Sequence, residues 1–157
     1  MTNSFTALLP GDPGPWFHQR SFANPRYAFD TAAGRYLVLC FFASARDEET
    51  LQALKRIHQR ADLFNDTFAS FFGVSLDPGD ESQNRVADSY PGFRYLWDFD
   101  GLVSRLYGAI KKEAQPGEGV AVRRMWVVLD PTMRVAKVFP FTPGLDDVTR
   151  VLSEISS

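Results

Sequence analysis

The sequence is poor in the residues that most redox and metal chemistry draws on. Cys40 is its only cysteine, so no intramolecular disulfide can form and no Cys-x-x-Cys pair exists. The two histidines, His18 and His58, stand far apart with no carboxylate at ligand spacing. That argues against a metal site, and no cofactor is expected. No stretch approaches the roughly 20 apolar residues of a membrane-spanning helix. Basic runs are missing and the net charge is −2, so neither nucleic acid nor an acidic membrane is an expected partner. The start, MTNSFTALLPGDPGP, lacks the basic residues and apolar core of a secretory signal. A cytoplasmic location is expected.

What is present suits one domain spanning residues 1–157. That length can bury a sizeable core, and the hydrophobic share of 45% supplies one. Fourteen phenylalanines point to a bulky core, or to an apolar surface used for association. The stretch Tyr36–Thr50, YLVLCFFASARDEET, organises the rest. Its continuous apolar run from Tyr36 to Phe42 suits a strand covered on both faces. Ala43, Ser44 and Ala45 are small enough for a tight strand-to-helix turn. Ser44 or Asp47 can cap the helix that follows, whose first turn gains Glu48 and Glu49. Leu51, Leu54, Ile57, Ala61 and Phe64 recur at helical spacing and predict one apolar face.

Upstream, LLPGDPGPWF predicts an extended arm docked through Trp16 and Phe17. Tyr27 and Phe29 alternate as in a brief edge strand. Downstream, Phe71–Asp77 predicts a second strand, Glu81–Tyr90 a short helix and Phe93–Trp97 a third strand. Asp98–Gly108 has a helical apolar face, and Lys111–Gly119 is a polar loop. Arg124–Leu129 and Val135–Phe139 form a hairpin about Asp130-Pro131-Thr132-Met133, with Pro where a type I turn favours it. Thr142-Pro143-Gly144 opens a last helix whose stripe is Leu145, Val148, Leu152 and Ile155. Strands alternating with helices predict an α/β fold, a central mixed sheet flanked by helices. That order, with its N-terminal extension, matches a thioredoxin-like fold.

Four segments in order resemble the peroxiredoxin family, of the alkyl hydroperoxide reductase and thiol-specific antioxidant type. Gly11–Phe17 (GDPGPWF) resembles its opening G-D-x-A-P-x-F, and Leu37–Ser44 (LVLCFFAS) its strand leading to F-Y-P. Asp98–Gly108 resembles the segment ending in Y-G, and Arg124–Thr132 (RMWVVLDPT) resembles R-G-x-F-I-I-D. The resemblance implies a thiol peroxidase whose P-x-x-x-T-x-x-C loop sets a cysteine thiolate at a helix N-terminus, steadied by a threonine and a distant arginine. Laid on without gaps, the proline position falls on Ala43, the threonine on Asp47 and the cysteine on Thr50. The arginine falls on Arg124, with Arg123 on the opposite face.

The same stretch resembles the thioredoxin F-W-A-S-W-C-x-x-C through Phe41–Ser44, but its cysteines fall on Arg46 and Glu49. No proline precedes the Arg124 strand, where thioredoxins carry a cis proline, so the peroxiredoxin branch is favoured. The wider wording also resembles peroxiredoxin-like domains fused ahead of bacterial 2-oxoglutarate and iron dependent oxygenases.

Two function classes compete. A domain without the family's thiol works by binding, through a protein partner or as a homodimer. Alternatively, Cys40 serves as the lone thiol of a peroxidase with an outside reductant. A cysteine flanked by Leu39 and Phe41 within a strand is expected in the core, where burial raises its pKa. Arg124 pairs with Asp47 or Glu48, or contacts an anion; those carboxylates would repel such a ligand. His58 has no nucleophile to serve.

Overall fold

The structure is a computed structural model that describes residues 4–117, 119–141 and 146–156. Its elements run β1 (His18–Gln19), β2 (Tyr27–Ala28), a 3-10 turn (Phe29–Ala32), β3 (Tyr36–Ala43), α1 (Glu48–His58), β4 (Ala69–Ser75) and α2 (Pro78–Ser82). β5 (Arg94–Trp97), α3 (Leu102–Tyr107), β6 (Met125–Leu129), β7 (Val135–Pro140) and α4 (Asp146–Ser156) follow. The main sheet has the order β5-β4-β3-β6-β7. β3, β4 and β5 are parallel, while β6 and β7 run antiparallel. β1 and β2 form a separate two-stranded ribbon.

Alternation along β3 sorts two apolar layers. Val38, Cys40 and Phe42 pack with Leu54 and Ile57 of α1 and Val148 and Leu152 of α4. Leu37, Leu39 and Phe41 face the other way, toward Phe17, Phe29, Val103 and Tyr107. A period of two therefore divides the core because both faces of the sheet are covered. Gly73 lies opposite Cys40 on β4, and a Cβ there would come within 2.9 Å of the Phe42 ring and 3.0 Å of Tyr95.

The N-terminal extension reaches both ends of the sheet. Gly11 N donates to Val135 O and Val135 N to Asp12 O, both at 2.8 Å, at the start of β7. At the opposite edge, Trp97 N donates to Arg20 O and Phe22 N to Tyr95 O. Phe17 stacks on Phe29 at 4.6 Å between centroids. Trp16, expected to dock beside it, is instead 68% exposed. Adjacent residues of an extended chain point opposite ways, so one docks and its neighbour faces water. Tyr27 belongs to β2, while Phe29 enters the 3-10 turn rather than an edge strand.

Several boundaries differ from the sequence pattern. α1 ends at His58 because Gln59 N and Arg60 N fold back on Lys55, Arg56 and Ile57 carbonyls. The Asn65 side chain then takes the Thr67 and Phe68 amides. Ala61 lies beyond the helix, although Phe64 remains buried. The helix expected over 81–90 is instead α2, which starts earlier at Pro78 and is ended by Asn84 at φ 50°. Asp77 caps it by accepting from Gly79 N at 2.9 Å. The expected opening of the last helix, Thr142–Leu145, lies outside the described residues. Among the described residues no helix is long and apolar enough to cross a membrane.

The turn between β3 and α1 is held from below by Asp80, whose residue is fully buried. It accepts from Ala45 N at 2.9 and 3.1 Å, from Ser75 Oγ at 2.7 Å and from Arg85 Nη1 at 2.8 Å. Asp77 adds contacts from Ser44 Oγ at 2.7 Å and Arg85 Nη1 at 3.0 Å. Asp80→Ala would strand a buried amide and weaken the hold on Arg85. We expect a loss of about 3 kcal/mol in urea unfolding, with the midpoint moving and the slope unchanged.

Candidate functional site

The antiparallel register of β6 on β3 sets Met125 opposite Phe41. Arg124, one residue earlier, therefore arrives where β3 gives way to α1. Its Nη1 lies 2.9 Å from Asp47 Oδ2, and its Nη2 donates to Thr50 Oγ1 at 2.5 Å. The Phe141 ring lies 4.4 Å from the guanidinium carbon, a cation–π distance. The buried Nε finds no partner among the described residues.

Asp47 has two roles in this cluster. Its Oδ1 accepts from Thr50 N at 3.3 Å, capping α1, while Oδ2 meets the arginine. Thr50 is buried in the first turn. Of the four positions singled out from the sequence, 47, 50 and 124 come together in one hydrogen-bonded cluster. Ala43 stands apart at the end of β3, at φ 70°. Proline fixes φ near −65°, so the backbone at this position cannot carry one. Leu76 N donates to the Ala43 carbonyl at 2.8 Å, tying that conformation to the end of β4.

The Thr50 hydroxyl accepts from a guanidinium, and the neighbouring Asp47 carboxylate is engaged by the Thr50 amide and Arg124. A neutral hydroxyl in that position keeps its proton and is a weak nucleophile. His58 is at the far end of α1, edge-on to Phe93 and Tyr90. Cys40 is 1% exposed, between Gly73 and Trp126 on neighbouring strands. Burial pushes its thiol well above the ordinary value, and the pull of Arg124 in the other direction is smaller. Arg123 points away from this cluster: its Nε and Nη2 donate to Gly108 O at 3.0 and 2.8 Å, and Nη2 reaches Thr6 O at 3.2 Å. Among the described residues no group of three or more His, Cys, Asp or Glu is placed to hold a metal ion.

Sequence reasoning missed the Asp77–Asp80–Arg85 cluster that supports the site. Its signal was present in Asp77-Pro78-Gly79-Asp80: a capping residue, Pro at the first helical position and an acid three residues on. A second missed hub is Asp98, fully buried. It accepts from Val103 N, Ser104 N and Gln19 Nε2 at 2.7–2.9 Å, and burial raises its carboxyl above the ordinary range against those bonds.

A five-stranded mixed sheet of order β5-β4-β3-β6-β7, with helices packed on both faces, is a thioredoxin-like architecture. The AhpC/TSA family matches residues 10–138, and the chain belongs to that family. No curated protein matches it in sequence. Among solved structures it is similar to a yeast mitochondrial 1-Cys peroxiredoxin, at TM-score 0.80 and 16% identity over 96% of this chain and 76% of that one. A Cys-to-Ser mutant of Xylella fastidiosa PrxQ gives TM-score 0.79 and 16% identity, covering 96% and 97% of the two chains. The peroxidoxin BcpB of Mycobacterium tuberculosis gives TM-score 0.79 and 19% identity, with the same coverage. These likenesses establish the peroxiredoxin form of the thioredoxin-like fold.

Two measurements check this geometry. Asp47→Ala loses both cap and ion pair and should cost about 1–2 kcal/mol. Asp47→Asn keeps the cap and should cost roughly 0.5 kcal/mol, because the pair is partly exposed; equal losses would mean the cap contributes little. Cys40 gives a pH signature. Its folded pKa is raised, so its contribution is fully present below the ordinary thiol value of about 8.5 and is lost as pH rises above it. Between about pH 8 and 9.5, stability of the wild type should fall faster than that of Cys40→Ala. Parallel curves would place the thiol in contact with water.

Proposed function

We propose that this chain is a peroxiredoxin-family domain that works by binding rather than by thiol peroxidase chemistry. One observation carries the reading. The Thr50 hydroxyl occupies the position that the family resemblance gives to the reactive sulfur, and Asp47 engages the arginine that would steady it. Arginine-stabilised thiolate chemistry has no thiol to act on there. The rival reading, peroxide reduction through Cys40, requires an accessible thiol of low pKa. Cys40 is buried and shifted upward.

The binding mode we favour is a protein partner or a second copy of the chain. Trp16 and Phe22, exposed on the N-terminal extension, supply large side chains suited to an interface. A cytoplasmic setting belongs to the same proposal, since a lone thiol asks for no oxidising compartment.

Hydrogen peroxide consumption by the purified chain, with dithiothreitol as reductant, tests the reading. Wild type and Cys40→Ser should both run at the buffer rate. Turnover by the wild type that Cys40→Ser abolishes would move the function to the thiol. Asp47→Thr combined with Thr50→Cys should create peroxide-reactive thiol, because the freed guanidinium then stabilises a thiolate. Thr50→Cys alone should react at least about tenfold more slowly, with Asp47 still holding Arg124.

A further inference from the structure

A groove of about 530 Å³ runs beside the Arg124 cluster, between the N-terminal arm and β7. That volume is ordinary for a small-molecule site, which spans about 300–1,000 Å³. Its walls are largely apolar: Leu8 from the arm, the Tyr107 ring from α3, Met125 from β6, and Val138 and Phe139 from β7. The Tyr107 hydroxyl is already spent on Pro15 O at 2.7 Å, so this side chain offers the groove mainly its ring. Among the described residues no carboxylate lines it, and two arginines do, Arg123 and Arg124.

The two cations are not equivalent. Arg124 is neutralised by Asp47. Among the described residues the Arg123 side chain donates only to carbonyl oxygens, those of Gly108 and Thr6, and lies 4.2 Å over the Phe5 ring. Carbonyls and a ring face orient a guanidinium without cancelling its charge. Lys111 Nζ lies 6.0 Å from the same ring. Among the described residues neither Arg123 nor Lys111 forms an ion pair. An apolar trough with an uncompensated positive charge at its wall complements a ligand with an apolar body and one negative end.

We propose that this groove binds a small amphipathic carboxylate, with its apolar chain along Leu8, Val138 and Phe139 and its head on Arg123. The guanidinium is pre-set for that role, because Gly108 and Thr6 fix its plane before any ligand arrives. Residues 6–8 line the groove through the arm, so the same contacts that hold the arm shape the site. The proposal stands apart from the reading of Thr50 and Cys40: a peroxidase and a binding domain could equally carry it.

Calorimetric titration of the intact chain with decanoate and with decanol tests it. Decanoate should bind saturably at one site, about tenfold more tightly than decanol, and raised salt should narrow that gap. Arg123→Gln should weaken decanoate to the decanol level. Since Arg123 also steadies the arm, Val138→Glu supplies a second variant. It sets a carboxylate in the wall without touching Arg123, and should likewise weaken decanoate about tenfold. Methyl NMR should place the bound chain against Leu8 and Val138. Equal affinity for decanol and decanoate, no saturable binding, or shifts confined to methyls elsewhere would each overturn the proposal.

Discussion

Strand β3 has no face turned to water, and most of the architecture answers to that constraint. Six of its eight residues, Leu37 to Phe42, are buried. Each face must be covered by a separate apolar layer, or the strand would expose a row of large side chains. One layer comes from the helices α1 and α4. The other draws on the N-terminal extension and α3. The extension is thus structural rather than decorative: Phe17 fills the second layer, and its backbone also occupies hydrogen-bonding groups at both sheet edges. At Val135, Tyr95 and Trp97 the extension takes up edge groups that an open strand would present to other chains.

Burying β3 so completely leaves its C-terminal end as the place where polarity must resume, and there the chain spends its charges. Two arginines from different elements converge on that junction. Arg85 sits below, between Asp77 and Asp80; Arg124 sits beside it, between Asp47 and Thr50. Each guanidinium joins loops that the sheet alone does not hold. The Asp80 cluster is the deeper of the two, and leaving one of its groups unpaired costs more than breaking a half-exposed ion pair. The junction is therefore buried in its lower part and partly open at Arg124, where solvent still reaches the pair.

The order of elements along the chain was mostly legible because hydrophobic runs, turn residues and caps report on local chemistry. Tyr36–Phe42 announced a buried strand, Ser44 or Asp47 a helix cap (Asp47 takes the role), and Asp130–Met133 a hairpin turn. The pairing of Arg124 with Asp47 was among the readings open from the sequence, since opposite charges at a shared junction attract. Less legible were features set by tertiary partners. Asp98 and Asp80 are buried acids whose donors come from distant segments, Gln19 in one case and Arg85 in the other. Apolar spacing alone extended α1 to Phe64. Phe64 does reach the core, but through turns made by Asn65 and Arg60. Trp16 was misplaced because an aromatic pair in an extended arm cannot dock both members on one side.

Ala43 shows how closely the path from β3 into α1 is tied to its surroundings. Its left-handed backbone follows a register shift between Phe41 and Ala43, and costs roughly 1 kcal/mol for a residue with a Cβ. Contacts at both sides oblige that cost: Leu76 bonds the Ala43 carbonyl, and Asp80 takes the Ala45 amide. A proline at this position would need φ of the opposite sign, and so a different path from β3 into α1. The local backbone, the carboxylate at position 47 and the hydroxyl at position 50 thus agree with one another. A cysteine placed at position 50 changes only one of three mutually adjusted features. The arginine would still face a carboxylate, and the loop would still follow a path closed to proline.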